Sequence, residues 1–283
     1  MNGMSIRPDT TAVPYLDLND GNRIPQLGFG VFQVPSEETR ETVAHALRTG
    51  YRHIDTAAAY GNEAEVGEAV ASSGLERREV FITTKLWNND QGQQNALRAF
   101  EQSLQKLGSD YVDLYLIHWP APSKGLFTET WEAFAALREE ARTRSIGVSN
   151  FRVEDLEQII EATGVVPAVN QIELHPRLQQ EELRRFHAQH GILTEAWSPL
   201  GKGQLLDEST IQKIASAHDR TPAQVVLRWH LQLGNVVIPK SVTPARIEEN
   251  FDVFDFELSE DEMRAIAALD AGERTGPDPS TFD

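Results

Sequence analysis

The chain has 283 residues, of which 40% are hydrophobic and 19 are glycine. This is the composition of an ordinary globular protein, and it excludes a disordered or fibrous chain. The 43 acidic and 26 basic residues give a net charge of −17. Such a charge repels nucleic acid and anionic lipid, so we expect neither as a partner. The chain contains no cysteine, which excludes disulfides and thiolate sites.

The sequence also predicts where the protein resides. No stretch has about 18 consecutive apolar residues, the length that a membrane-spanning helix needs. Residues 1–20 contain no continuous apolar run ahead of Asp17 and Asp20, so we expect no signal peptide. These features predict a cytoplasmic protein that does not associate with membranes.

The predicted elements begin with a β-hairpin at residues 15–26, where the turn sequence NDGN separates two short runs. Eight further runs are rich in β-branched and aromatic residues, and each is predicted to be a strand. They cover residues 27–32, 51–55, 80–85, 112–118, 145–149, 168–173, 192–197 and 236–240. The stretches between them have apolar residues at helical spacing. Capping boxes at residues 221–224 and 259–262, and a proline at residue 244, predict three helix starts.

The alternation of strands and helices indicates the fold. Eight alternations with nearly continuous apolar strands predict a parallel sheet that is covered on both faces. The number eight favours a closed (β/α)8 TIM barrel over an open doubly wound sheet. No linker sequence divides the chain, so we expect residues 1–283 to form one α/β domain. The aperiodic residues 271–283 are predicted to form a tail that lies over the barrel or in solvent.

Polar residues stand at the predicted carboxyl ends of seven strands. In a (β/α)8 barrel the chemistry takes place at this end, so these side chains should converge on one mouth. Any one of them alone is equally well explained as a helix cap. Polar residues at the ends of seven strands on one rim are harder to explain as helix caps alone. They are Asp55, Lys85, His118, Ser149, Asn150, Gln171, Ser198, Lys240 and Ser241.

Several familiar motifs are incomplete. Residues 147–151 (GVSNF) lack the second glycine of a serine-hydrolase elbow, and residues 28–30 lack the third glycine of a dinucleotide fingerprint. A metal-dependent barrel hydrolase remains an alternative, because imidazoles and carboxylates are metal ligands. However, a lysine on the same rim would repel a cation, and we expect no metal. The ligands for this alternative would be His53, Asp55, His118, Glu173 and His175.

A series of short segments occurs in order along the chain. They are residues 50–57 (GYRHIDTA), 60–63 (YGNE), 84–87 (TKLW), 111–120 (YVDLYLIHWP), 146–151 (IGVSNF), 170–176 (NQIELHP), 197–201 (WSPLG) and 238–246 (IPKSVTPAR). In this order and spacing they resemble the aldo-keto reductase family over nearly the whole chain, most closely its short bacterial members that include 2,5-diketo-D-gluconate reductases. The resemblance implies NADPH-dependent reduction of aldehydes and ketones. It also implies a catalytic tetrad, which consists of Tyr60, Asp55, Lys85 and His118.

The chemistry of the four side chains agrees with this role. Hydride transfer builds negative charge on the carbonyl oxygen, which requires a proton donor and polar groups nearby. Lys85 beside Tyr60 is expected to lower the phenol pKa from about 10, and Asp55 would keep the lysine charged. His118 can orient the carbonyl by a hydrogen bond. A purely structural ion pair with a packed tyrosine is the alternative explanation.

Further residues are predicted to hold the cofactor. Residues 238–246 lead from the last strand into a helix N-terminus, where free N–H groups favour an anion. Lys240 and Arg246 add positive charge there, which favours a site for the 2′-phosphate of NADPH. By resemblance, Trp197 stacks on the nicotinamide, and its carboxamide is held by Ser149, Asn150 and Gln171. The other cofactor contacts that the resemblance implies are Ser198, Leu200, Gly201, Ser241, Val242, Thr243, Glu249 and Asn250.

The substrate pocket is predicted from the residues around the same mouth. Aromatic walls around a polar floor predict broad activity on small aldehydes, dicarbonyls and keto acids. Short segments at residues 121–127 and after Gly201 predict a shallow mouth. We expect a monomer, and we retain an NADPH-binding regulatory module without turnover as a second alternative. The expected substrate contacts are Phe32, Trp87, Asn88 and Trp119.

Overall fold

The computed structural model describes residues 13–283. It opens with an antiparallel hairpin of β1 (Tyr15–Asp17) and β2 (Arg23–Pro25). The Asn22 amide donates to Arg144 O at 3.0 Å and to Ser145 Oγ at 3.1 Å, so the hairpin lies against the amino-terminal end of the barrel. The predicted hairpin is confirmed. The expectation of no signal peptide concerns residues 1–20, most of which lie outside the described part.

Eight parallel strands form the main sheet, in sequence order. They are β3 (Phe29–Gly30), β4 (His53–Asp55), β5 (Phe81–Leu86), β6 (Val112–Ile117), β7 (Thr143–Ser149), β8 (Val169–Glu173), β9 (Leu193–Trp197) and β10 (Val236–Val237). The first and last strands also meet, because Gly28 N donates to Val237 O at 2.9 Å and Gly30 N donates to Pro239 O at 3.1 Å. The sheet therefore closes on itself, and the predicted (β/α)8 barrel is confirmed.

Helices connect the strands and cover the outside of the barrel. In the described residues they are α1 (Ser36–Thr49), α2 (Glu63–Ser72), α3 (Gln93–Leu107), α4 (Phe127–Glu139), α5 (Val153–Thr163), α6 (Glu181–His190), α7 (Ser209–His218), α8 (Pro222–Gln232), α9 (Pro244–Phe251) and α10 (Glu260–Ala267). The predicted capping boxes precede α8 and α10, and Pro244 is the first residue of α9. Within residues 13–283, no helix is long and apolar enough to cross a membrane.

The interior of the barrel changes from apolar to polar along its axis. At the hairpin end, Phe81, Leu114 and Val236 pack with Ile24 of β2 in a small buried cluster. Successive residues of a strand alternate between its two faces, so the residues two and four positions after Phe81 share its inward face. They are Thr83 and Lys85, both completely buried. The hairpin thus closes one end of the barrel, and the polar residues lie towards the other end.

Candidate active site

A buried ion pair lies at the polar end of the barrel. Lys85 Nζ is 2.6 Å from Asp55 Oδ1, and it also donates to Thr56 O at 2.9 Å. Tyr60 sits on a short 3-10 helix (Ala58–Tyr60) directly after β4, and its hydroxyl oxygen is 3.3 Å from Lys85 Nζ. Three of the four residues predicted as the tetrad therefore form one hydrogen-bonded chain.

The charges in this chain control its protonation. Burial disfavours the ammonium of Lys85, but Asp55 and Tyr60 outweigh that effect and the pKa of Lys85 is raised. Burial raises the pKa of Tyr60, and the Lys85 cation opposes the increase. The lowered pKa that the sequence predicts for Tyr60 from the cation alone is therefore wrong. Because burial is the larger effect, the phenol stays protonated at neutral pH, while Lys85 stabilises any negative charge that forms on its oxygen.

His118 completes the tetrad from the end of β6. Its ring stands edge-on to Tyr60, with the ring centroids 5.6 Å apart, and edge-on to Trp87 at 5.2 Å. Burial, together with the Lys85 cation, lowers the pKa of His118 well below its usual value. The imidazole is therefore neutral at pH 7, so it can hydrogen-bond a carbonyl but is a poor proton donor. This electrostatic difference favours Tyr60 as the acid.

The ends of β7 and β9 hold a half-buried indole in place. Trp197 Nε1 donates to Asn150 Oδ1 at 2.8 Å, and the Asn150 amide donates to His118 O and Ser149 Oγ, both at 3.0 Å. Asn150 has a positive φ of 63°, a conformation that asparagine tolerates better than most residues. Asn150 thereby connects the indole of Trp197 to the strand end that carries His118.

Gln171 contacts the ion pair from β8. Its Nε2 donates to Asp55 Oδ2 at 2.8 Å and to Glu195 Oε2 at 3.1 Å. Both amide hydrogens are used in these bonds, which leaves the carbonyl oxygen of Gln171 for other partners. Glu195 lies on β9 and is completely buried, and the sequence analysis did not select it.

The loop after β10 carries exposed positive charge. Lys240 and Arg246 are both exposed, and neither forms an ion pair with any residue in the range 13–283. Between them, α9 begins at Pro244 without a side-chain cap. Proline has no N–H, and Arg246 N donates to Thr243 O at 3.0 Å, so within the described residues only the Ala245 N–H of the first turn is left to bind an anion. Ser241 Oγ accepts from Thr243 N at 3.1 Å and shapes the turn that leads into α9.

The other predicted cofactor contacts lie in the segment after β9 and in or just before α9. Ser198, Leu200 and Gly201 follow β9 and lead into a short 3-10 helix (Gly201–Gly203). Glu249 and Asn250 lie on α9, where Glu249 Oε1 accepts a hydrogen bond from Thr221 Oγ1 at 2.8 Å. Val242 is exposed between Lys240 and α9.

Aromatic side chains surround the tetrad, as predicted. Phe32 is 51% exposed and packs against Tyr60 with the ring centroids 5.1 Å apart. Asn88 is 1% exposed, and neither polar atom of its amide has a partner within the described residues. Phe282 of the tail contacts the rings of Trp119 at 4.5 Å and Trp87 at 6.3 Å. The tail therefore adds a wall to the mouth that the sequence analysis predicted to be shallow.

Glu173, the last residue of β8, anchors this tail. Its Oε1 accepts from Thr275 N and Thr275 Oγ1, both at 2.6 Å, and its Oε2 accepts from Gly276 N at 3.1 Å. Burial opposes the charge of Glu173, but these bonds and the bond from His175 lower its pKa to about 2. The main-chain oxygen of Thr275 is held as well, because Lys202 Nζ donates to it at 2.6 Å. Of the two predicted positions for the tail, the structure shows the one over the barrel.

The five side chains of the alternative metal site do not form one cluster. His53 Nε2 bonds Thr83 Oγ1 at 3.0 Å, whereas His175 bonds Glu173 at 3.1 Å. Across residues 13–283, no three histidine, aspartate or glutamate side chains are arranged to hold a metal ion. The polar end of the barrel is instead organised around Lys85.

A closed barrel with a tyrosine, lysine, aspartate and histidine at its mouth has the features of a carbonyl reductase. The model of the Aldo/keto reductase family matches residues 26–271, and the chain belongs to this family. An aldo-keto reductase from Mycobacterium sp. (strain KMS) is 62% identical over 95% of this chain and 98% of its own. The methylglyoxal reductase DkgA of Yersinia pestis is 53% identical, over 96% of this chain and 98% of its own.

A solved structure extends the comparison. The crystal structure of a Gox0644 variant in complex with NADPH has a TM-score of 0.93 and 52% identity, and covers 96% of this chain and 99% of its own. The family predicted from the sequence is confirmed, and membership makes this chain an NADP-dependent oxidoreductase. A metal-dependent hydrolase is therefore set aside.

The position of Gly276 generates a prediction about the tail. A Cβ atom at this position would collide with Cη2 of Trp197, so alanine should displace either the tail or the indole. We expect Gly276→Ala to expose the bond after Arg274 and to increase its rate of tryptic cleavage by about tenfold, as seen by mass spectrometry.

Ser280→Ala is the matched control, because Ser280 Oγ bonds only Asp278 within the tail. Equal cleavage rates for wild type and both variants would show that Gly276 does not fix the tail.

Proposed function

We propose that this protein reduces small aldehydes, ketones and dicarbonyls with NADPH, and that Tyr60 donates the proton. One observation carries the proposal: Lys85, paired with Asp55 at 2.6 Å, reaches the Tyr60 hydroxyl at 3.3 Å beside a neutral His118. We further propose that it acts as a single-domain monomer in the cytoplasm.

The residues divide the reaction between them. NADPH, when bound, supplies the hydride that attacks the carbonyl carbon. His118 donates a hydrogen bond to the carbonyl oxygen and orients it towards Tyr60. As negative charge develops on that oxygen, the phenol releases its proton, and the Lys85 ammonium stabilises the phenolate that remains. Asp55 holds Lys85 in place and keeps it charged.

The described residues fit the cofactor at both of its ends. The half-buried indole of Trp197 offers a face for the nicotinamide, and the free carbonyl oxygen of Gln171 can accept from its carboxamide. Ser149 Oγ and Asn150 N both donate to the main-chain oxygen of Gln171, at 2.8 Å and 2.9 Å, and both Asn150 amide hydrogens are engaged elsewhere. At the other end, Lys240 and Arg246 supply charge for the 2′-phosphate.

The remaining cofactor contacts that we propose lie either between the nicotinamide and the 2′-phosphate or beside the 2′-phosphate. Ser198, Leu200 and Gly201 face the pyrophosphate, and Ser241, Val242 and Thr243 surround the 2′-phosphate. Glu249 and Asn250 contact the adenine.

The walls of the mouth favour small, polar carbonyl compounds. Trp87, Trp119 and Phe282 restrict its width, because the tail is fastened across it. The amide of Asn88 has no partner within the described residues, and we propose that it hydrogen-bonds a second oxygen next to the reacting carbonyl when a substrate binds. A dicarbonyl or an α-hydroxy carbonyl compound supplies such an oxygen, and the resemblance to diketogluconate reductases is in line with this chemistry.

The first test of this proposal is Tyr60→Phe. The substitution removes the proton donor and leaves the ring in place, so we expect kcat to fall by about 100-fold to 10,000-fold with an almost unchanged Kd for NADPH. NADPH absorbance with methylglyoxal measures the rate, and fluorescence titration measures the Kd.

Tyr111→Phe is the control for this test, because its ring packs between Arg77 and Arg144 away from the tetrad. Near-native turnover of Tyr60→Phe on several carbonyl compounds would contradict the assignment of the acid. Binding of NADPH by wild type without turnover of any carbonyl compound would favour the regulatory module.

The second test concerns the choice of cofactor. A charge-assisted hydrogen bond to phosphate contributes about 1.5–3 kcal/mol. Arg246→Ala should therefore weaken NADPH binding by at least about tenfold and leave NADH binding nearly unchanged. Arg185→Ala, on the outer surface of α6, is the control. Equal losses for both cofactors would place the 2′-phosphate elsewhere.

The third test concerns substrate size. We expect kcat/KM to be highest for dicarbonyls of methylglyoxal size and low for polycyclic ketones. Phe282→Ala should change the ratio of kcat/KM for a polycyclic ketone to kcat/KM for methylglyoxal about tenfold in favour of the ketone. The reason is that apolar contacts contribute about 1–3 kcal/mol per methylene. A wild-type preference for a polycyclic ketone would contradict the proposed substrate class.

A further inference from the structure

A second buried carboxyl group lies beneath the tetrad. Glu195 pairs in register with Gln171 across β8 and β9, and its side chain is completely buried. The Gln171 amide connects it to the tetrad, because Nε2 donates both to Asp55 Oδ2 at 2.8 Å and to Glu195 Oε2 at 3.1 Å. Asp55 and Glu195 thus share one hydrogen-bond donor.

The neighbours of Glu195 leave its charge without a counter-ion. The Lys85 cation on β5 acts on Glu195, but Asp55 already pairs with it. His53 Nε2 on β4 is 3.7 Å from Glu195 Oε1, but burial and the Lys85 cation lower the pKa of His53 to about 3. On the other side, the residue of β10 in register with Glu195 is the apolar Val236.

These surroundings favour the protonated form of Glu195. An isolated charge in a protein interior is unfavourable, so such a group takes up a proton instead. Burial, with a smaller contribution from Asp55, raises the pKa of Glu195 to about 8, although Gln171 and Lys85 oppose the increase. With Glu195 neutral, the group formed by Lys85, Asp55 and Glu195 holds one cation and one anion.

We propose that Glu195 is a positioning residue of the tetrad: as an uncharged carboxyl group it fixes the Gln171 amide against Asp55, and its ionisation weakens Tyr60 as a proton donor. The inference rests on the roles proposed above for Tyr60, Lys85 and Asp55. Glu195 itself contacts neither the substrate nor the cofactor in this scheme.

The direction of the effect follows from the charges. An ionised Glu195 places a second negative charge near Asp55, and this charge raises the pKa of both Lys85 and Tyr60. A phenol with a higher pKa releases its proton less readily. Reduction should therefore slow as pH rises through the titration of Glu195, while Tyr60 itself is still protonated.

The kinetic experiment uses Glu195→Gln, which keeps an oxygen for the Gln171 amide but cannot ionise. We expect kcat of this variant at pH 7 within about threefold of wild type. Between about pH 7 and 9, wild-type kcat should fall several-fold, whereas that of the variant should stay level. Glu195→Leu removes the acceptor and should lower kcat at every pH.

Glu63→Gln is the matched control. Glu63 is equally buried, but it bonds Thr84 Oγ1 at 2.6 Å on the outward face of β5. Its pH profile should match that of wild type. If Glu195→Gln also keeps the wild-type profile, or if it loses most of its activity at pH 7, the proposal is wrong.

Infrared difference spectroscopy of wild type against Glu195→Gln gives a readout that needs no turnover. We expect the carbonyl stretch of a protonated carboxyl group at pH 7, and we expect its loss by about pH 9 to 10. Absence of this band at pH 7 would overturn the inference without affecting the proposed reductase. Conversely, an active Tyr60→Phe enzyme would overturn the proposed acid while leaving the band unchanged.

Discussion

The ion pair between Lys85 and Asp55 is the interaction on which the active end of this barrel depends. Neither side chain is more than 2% exposed, so each charge is acceptable only because the other is present. Removing one member of such a pair typically costs about 3–5 kcal/mol, since the remaining charge is left buried and alone. The pair also has further support, because Thr56 accepts from the lysine and Gln171 donates to the aspartate.

The same cation sets the protonation of its neighbours. It helps to keep the imidazoles of His118 and His53 neutral, and it opposes the effect of burial on the Tyr60 phenol. Three titratable side chains from two chain segments therefore respond to one ammonium group. In the proposed reaction, this shared dependence would make the four side chains of the tetrad act as a unit.

Much of this arrangement was accessible from the sequence. The eight strands are marked by runs of β-branched and aromatic residues, and the polar residues that end them are visible without a structure. Because side chains alternate between the two faces of a strand, Asp55 and Lys85 fall on the inner face of the barrel. The closure of the barrel also follows from the number of strands. Asp55, Lys85 and His118 stand at a strand end or directly after one, whereas Tyr60, in the 3-10 helix that follows β4, was assigned by the resemblance to the aldo-keto reductase family.

The features that sequence analysis missed depend on contacts between distant segments. Phe282 lies in an aperiodic tail, and no local pattern indicates that it reaches Trp119. Glu195 stands inside a predicted strand, two residues before Trp197, and the period-two alternation that points both side chains inward was a signal that could have revealed it. The raised pKa of Tyr60 depends on the extent of burial, which a sequence does not provide.

Within residues 13–283, the hairpin covers the amino-terminal end of the barrel, and the opposite end, which carries the tetrad, is the open one. Ile24, Phe81 and Leu114 pack together there and fill that end of the barrel beneath the hairpin. In the proposed reaction, the carbonyl compound, the hydride carrier and the replacement proton for Tyr60 must all arrive through the same opening. The product must leave through the same opening, so substrate entry and product release compete for one passage under the tail.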